Sequence, residues 1–210
     1  MVTNYDGSFY DAIKDGCVSS AKKVAPIVFN YFKPKTVVDI GCGQGHWAKE
    51  FENLGCDVLG VDGDYVTDPV VNFLPHNLEN PIPEIGNFDL AISLEVAEHL
   101  REPSSDRFIR DLTNLAPIVL FSAAIPGQGG VDHFNEQWPS YWAQKFLECG
   151  YDVTGALRFE IWNDDDIENW YRQNLLVAVS NDAPKPKKLF SHPLSDPISV
   201  VHPVLWNSRL

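Results

Sequence analysis

Residues 37–45 read Val-Val-Asp-Ile-Gly-Cys-Gly-Gln-Gly, and few folds are open to a chain containing such a run. Val37 to Ile40 have the apolar, β-branched character of a short buried strand. Gly41, Gly43 and Gly45 follow at alternate positions, and a helical pattern begins at His46-Trp47. Glycines between a buried strand and a helix let backbone approach a ligand that a Cβ would exclude. A dinucleotide fingerprint, G-x-G-x-x-G, would need glycine at position 46, where this chain has histidine.

Apolar runs recur near residues 57–62, 70–73, 88–94, 117–122, 151–156 and 173–180. Helical spacing lies between most of them, notably at 46–54, 98–115 and 139–149. That alternation predicts an α/β fold: a Rossmann-like three-layer sandwich around a mostly parallel, seven-stranded sheet. Ligands of such sheets bind beyond the carboxyl ends of the strands, at the switch point. Asp39, Asp62, Glu95 and the segment after Ser122 all fall at that edge. Before the first strand, residues 8–32 carry Phe9, Ile13, Val24, Ile27, Val28 and Phe32 at helical spacing, interrupted near Gly16. One domain over 1–182 is therefore expected, followed by a proline-rich, extended tail over 183–210.

An acid just before a G-x-G-x-G turn resembles the first motif of class I S-adenosylmethionine-dependent methyltransferases. Leu59-Gly-Val-Asp62 ends the next apolar run, and an acid at that strand tip can accept both hydroxyls of a ribose. In Phe73-Leu-Pro-His-Asn-Leu78, Asn77 and Leu78 stand where the family often places adenine contacts, although it more often has aspartate there. Asn87–Leu94 running into Glu95-Val-Ala-Glu-His-Leu100 resembles the fourth-strand motif of small-molecule O-methyltransferases, such as those of ubiquinone biosynthesis. Over about residues 36–155 the chain is similar to this family. The resemblance implies an antiparallel last strand and S-adenosylmethionine as cofactor. It also implies cofactor contacts from Asp39, Gly41, Gly43, Gly45, Asp62, Asn77, Leu78 and Leu94. Many amino-methylating relatives have an Asn-Pro-Pro-Tyr-like run after strand four. Ser93-Leu-Glu-Val96 stands there instead, so oxygen on a small hydroxylated metabolite or sugar is the expected acceptor. The alternatives are a metal-independent methyltransferase with a histidine base and a non-catalytic cofactor-binding subunit, against which the intact acid-plus-glycine motif argues.

Glu95, Glu98 and His99 have the spacing of one helix face. His133 lies in the glycine-rich segment Pro126–Gln137, which emerges beside strand four in a parallel sheet. Two carboxylates and two imidazoles converging there would suit a divalent cation with room for substrate oxygens. The E-x-x-E-H run with a later histidine resembles the metal site of small-RNA 2′-O-methyltransferases and the metal-binding residues of ubiquinone-pathway enzymes. Imidazole ligands favour Mn²⁺, Fe²⁺ or Co²⁺ over Mg²⁺. Three roles stay open for the cluster: metal binding, proton transfer through His99 or His133, and structure alone, since acids ordinarily partner a helix's first turn.

The net charge of −13, with only 16 Lys and Arg, argues against a long nucleic-acid partner. No apolar run approaches a membrane span, and the start Met-Val-Thr-Asn-Tyr-Asp has no signal-peptide character, so a cytoplasmic location is expected. Cys17, Cys42, Cys56 and Cys149 lack paired spacing and read as reduced. Neither a G-x-S-x-G elbow nor a P-loop is present. Trp142 and Phe146 read as core, whereas Trp138 could wall a substrate pocket. At the end of the tail, Val200, Val201, Val204, Leu205 and Trp206 predict packing on the body or on a partner subunit, giving a homo-oligomer.

Overall fold

The computed structural model describes residues 7–192 and 196–208, with side chains from Asp15 onward. Phe9 and Ile13, expected on the apolar face of the first helix, lie outside the described side chains.

The β-branched and aliphatic runs become β1 (Thr36–Ile40), β2 (Asp57–Asp62), β3 (Phe73–Pro75), β4 (Leu90–Leu94), β5 (Ile118–Ser122), β6 (Tyr151–Thr154) and β7 (Leu176–Ser180). They form one sheet in the order β3-β2-β1-β4-β5-β7-β6. β1 pairs in parallel with both β2 and β4, whereas β7 runs antiparallel to β5 and to β6. The expected sheet, including the reversed last strand, is present. One expected strand is displaced: the run near 70–73 pairs only from Phe73, where it meets Gly60 of β2.

Alternation along the strands sorts their side chains to two faces. Val37 and Leu90 face a core shared with Val24 and Val28 of α1 (Gly7–Phe32) and with Trp47 and Phe51 of α2 (His46–Asn53). Val38, Ala91 and Phe121 face the opposite core, built with Phe108 and Leu112 of α3 (Ser105–Leu115) and Trp142 and Phe146 of α4 (Pro139–Glu148). Burying each such side chain contributes roughly 1.5–3 kcal/mol, so two continuous cores fix the strand order and the sheet edge that carries the site. The four cysteines are free thiols, and burial pushes Cys17 up to about 12.

Three expectations need correction. First, α1 is continuous through Gly16. A Cβ there would stand 2.0 Å from Glu168 Oε1, so the glycine permits close approach and does not break the helix. Second, no helix spans 98–115. Ala97–His99 and Glu102–Ser104 are separate 3-10 turns, and α3 begins only at Ser105. Pro103 lacks the N–H that a continuous helix needs. Third, the described residues of the tail are not extended throughout. After α5 (Leu157–Ile161) and α6 (Asn169–Asn174), it forms α7 (Lys187–Phe190) and α8 (Pro203–Asn207). Leu189 enters the α1-side core. Buried Arg158 donates from Nη1 to the Ile198 carbonyl at 3.0 Å, and His202 is buried. Val204 and Trp206 remain exposed. Among the described residues no helix is long and apolar enough to cross a membrane.

Candidate active site

The glycine turn joins β1 to α2 at the carboxyl edge of the sheet. Gly41 donates its N–H to the Val61 carbonyl at 2.7 Å, tying the turn to β2. Its φ is +81°, and a Cβ would stand 2.3 Å from Val96 Cγ2. Gly45, at φ +87°, would meet Val71 Cγ2 at 2.6 Å. Backbone conformation and neighbouring valines thus require these two glycines independently of any ligand. Gly43 plays a different part, donating its N–H to Asp62 Oδ2 at 2.7 Å.

Asp39 is buried, and its Oδ2 has no hydrogen-bond partner. Burial pushes its carboxyl up to about 7. The Ala48 N–H opposes that shift, and Asp62 adds to it. Asp62, also buried, accepts at Oδ1 from Gly63 N–H at 2.7 Å and from the Tyr65 hydroxyl at 2.6 Å. Burial raises its pKa against those donors. Asn77 is exposed, and its Oδ1 accepts from Glu79 N–H at 3.0 Å, while Leu78 belongs to the α3-side core. Leu94, at the end of β4, belongs to the α1-side core.

The acidic-histidine cluster begins where β4 ends. Glu95 adopts φ +56°, a conformation L residues rarely take, and its N–H donates to Ser122 O at 3.0 Å and Ser122 Oγ at 3.1 Å. That reversal turns its side chain into a set of amides. Asn174 Nδ2 donates to both Glu95 oxygens, at 3.0 and 3.2 Å, and Gln128 Nε2 donates to Oε2 at 2.8 Å. The amides continue into the tail. His202 N–H donates to Gln173 Oε1 at 2.8 Å. Gln173 Nε2 donates to Asn174 Oδ1 at 3.0 Å and to Gln128 Oε1 at 3.2 Å. Each amide accepts at oxygen and donates at nitrogen, which gives the chain a single self-consistent direction ending on Glu95.

Glu98 is fully buried. Its Oε1 accepts from Ala124 N–H at 3.1 Å, but Oε2 has no donor. Burial and then the nearby Glu95 carboxylate hold Glu98 well above the usual carboxylate range. The Glu98 carbonyl accepts from Phe134 and Asn135 N–H at 2.8 and 3.0 Å, pinning the loop after β5 over this turn. That loop brings His133 to His99, with ring centroids 4.8 Å apart.

His99 Nδ1 lies 3.2 Å from the Asp132 carbonyl, an acceptor only, so the proton belongs on Nδ1 and the lone pair on Nε2. Burial, then His133, lowers His99 to about 4, so its imidazole is neutral near pH 7. His133 Nδ1 donates in the same way to Glu136 Oε1 at 3.0 Å. Glu136 also accepts from Gly127 and Gly129 N–H at 2.7 and 2.8 Å. Although burial works against it, these donors hold Glu136 below its ordinary range.

Glu98, His99 and His133 each offer a ligand atom within 4.8 Å of the others. They converge as the parallel sheet requires. Glu95, expected as a fourth ligand on a shared helix face, does not join them, because its left-handed backbone gives its carboxylate to Asn174 and Gln128. Sequence reasoning missed Glu136, Gln128, Gln173 and Asn174. Only Glu136 carried a signal, as the acid three places after His133 in one loop. Trp142 and Phe146 are core, as expected, whereas Trp138 and Phe134 are exposed, 39% and 66% accessible.

A family described as "Methyltransferase domain" matches residues 19–174, which includes the glycine turn, Asp62 and the whole acidic-histidine cluster. The chain belongs to this family. The match bears out the resemblance to class I S-adenosylmethionine-dependent methyltransferases. The ubiquinone biosynthesis O-methyltransferase of Roseobacter denitrificans is 31% identical over 83 residues, covering 34% of this chain and 34% of that protein. The tRNA U34 carboxymethyltransferase of Pseudomonas fluorescens is 31% identical over 84 residues, covering 34% of this chain and 26% of that protein. The likeness to these relatives therefore spans about a third of their length or less. Magnesium protoporphyrin IX methyltransferase from Synechocystis PCC 6803, solved with bound S-adenosylmethionine, has TM-score 0.58 at 19% identity, covering 80% of this chain and 83% of that one. At that identity the likeness is one of fold.

Proposed function

We propose that this methyltransferase binds S-adenosylmethionine across the carboxyl edge of β1 and β2. It transfers the methyl group to an oxygen of a small hydroxylated acceptor, with a divalent cation held by Glu98, His99 and His133. The observation that carries the metal reading is Glu98 Oε2, a buried oxygen with no donor, grouped with two imidazoles. An orphaned buried carboxylate oxygen is costly unless a proton or a cation compensates it. Both histidines hold their Nδ1 protons on oxygen acceptors, and His133 does so on a carboxylate, the usual outer partner of a metal-ligating imidazole. Two imidazoles and one carboxylate leave open positions for acceptor oxygens, a donor set that suits Mn²⁺, Fe²⁺ or Co²⁺ better than Mg²⁺.

S-adenosylmethionine carries its methyl on a sulfonium and so supplies an electrophile that needs only an oxygen placed in line. The ion at the three side chains would lower the pKa of an acceptor hydroxyl. In this reading Asp62 orients the ribose and the glycine turn admits the cofactor's backbone-facing side. The net charge of −13 favours a small acceptor over a long polyanion.

A second reading rests on the His133–Glu136 pair, because an imidazole oriented by a carboxylate is also the form of a general base. His99, held near 4, is poorly suited to that task. Turnover of hydroxylated acceptors with and without EDTA separates the two. Metal assistance predicts loss in EDTA and recovery with Mn²⁺ or Co²⁺. Full turnover in EDTA, with only His133→Ala impaired, would establish the base.

A further inference from the structure

We propose that Tyr65 gates the cofactor's ribose site: its hydroxyl occupies one of the ribose hydroxyl positions on Asp62 and must leave before the ribose is gripped by both hydroxyls. This rests on the binding of S-adenosylmethionine proposed above. An ionised carboxylate has about four acceptor positions. Three of those on Asp62 are taken by Gly43 N–H, Gly63 N–H and the Tyr65 hydroxyl, each at 2.6–2.7 Å. The two backbone donors belong to the turns that shape the site. Only the tyrosine can withdraw.

A ribose diol needs two acceptor positions, and one remains while Tyr65 is in place. The side chain has somewhere to go, since Tyr65 is 37% exposed. Gly63 makes the closed position accessible, because a Cβ at residue 63 would stand 2.0 Å from Tyr65 Cε1. The ring lies across the glycine that follows Asp62, where any larger residue would displace it. The pair thus shields a buried carboxylate whose neutralisation burial favours, keeping it hydrogen-bonded until the ribose arrives.

Closed and open forms then compete with the cofactor, so the observed affinity is reduced by the fraction that is open. Tyr65→Phe removes the competing hydroxyl but keeps the ring. In calorimetry with S-adenosylhomocysteine it should bind about 5- to 20-fold more tightly than the unchanged protein, the range expected for losing one charge-assisted competitor. Stopped-flow association should also change. The unchanged protein's observed rate should level off at high ligand, limited by tyrosine opening, whereas that of Tyr65→Phe should keep rising. A merely structural tyrosine would give unchanged or weaker binding in Tyr65→Phe, and that result overturns the proposal. Absence of binding by the unchanged protein would instead overturn the cofactor reading itself.

Discussion

Glu98→Gln should stabilise the metal-free protein at neutral and alkaline pH, the opposite of what removing a buried hydrogen-bonding acid normally does. Glu98 is fully buried, accepts one backbone N–H at Oε1, and has no donor for Oε2 beside Glu95. A buried polar atom left unpaired costs about 1–3 kcal/mol, more when charged. Glutamine keeps the acceptor for Ala124 and offers an amide N–H toward Glu95. For a chain of this size each kcal/mol moves the melting temperature by roughly 2–4 °C, so Glu98→Gln should melt about 2–12 °C higher in EDTA near pH 8.

The pH dependence fixes the sign. Burial and Glu95 raise the folded-state pKa of Glu98. Below the unfolded pKa of about 4.3 both states are protonated, and Glu98 contributes no pH-dependent difference. Above it the unfolded chain releases a proton that the native state retains, so stability falls by up to about 1.4 kcal/mol per pH unit until the folded pKa is reached. The advantage of Glu98→Gln should therefore grow as pH rises above the unfolded pKa toward the raised folded one, and nearly vanish in acid. Differential scanning calorimetry in EDTA reads it directly. A variant that melts lower than the unchanged protein at pH 8, or whose difference ignores pH, would refute the reasoning.

The metal reading predicts that His133→Ala and Glu98→Ala each lower turnover on the order of 10²-fold or more, without adding in the double variant, because both lose the same ion. Steady-state rates of the three variants, with Mn²⁺ present, check this. His202→Pro and His202→Ala should differ in urea denaturation. His202 sits at φ −68°, which proline accepts, so proline removes the N–H that orients Gln173 whereas alanine keeps it. Proline should cost about 1 kcal/mol more than alanine, and equal midpoints would mean that this N–H does not hold the amide chain.

The sheet was legible because β-branched runs of strand length are uncommon elsewhere, and because parallel strands must order their helices on two faces. The meeting of His133 with Glu98 followed from that order, since β4 and β5 are neighbours and their following loops leave the same edge. The local path after β4 was not legible. Glu95, Glu98 and His99 have helical spacing, yet the chain passes through left-handed backbone at Glu95 and a 3-10 turn at Ala97–His99. Periodicity cannot register a single residue's φ. Pro103 did carry the later start of the helix, lying inside the stretch expected to be continuous. Gln128, Gln173 and Asn174 are ordinary polar residues in sequence, and only tertiary packing makes them one directed chain. The tail's prolines suggested extension because composition cannot report that Leu189 and His202 find buried places on the body.

The most direct test of the central claim is titration calorimetry of S-adenosylmethionine into the unchanged protein and Asp62→Ala, both in EDTA. The unchanged protein should bind one equivalent without added metal, because the contacts proposed for the cofactor centre on the glycine turn and Asp62 and include none of Glu98, His99 and His133. Asp62→Ala should lose about 1–3 kcal/mol of that affinity, the worth of charge-assisted hydrogen bonds to a ribose. Equal affinity in the two proteins, or no binding by either, would contradict the account.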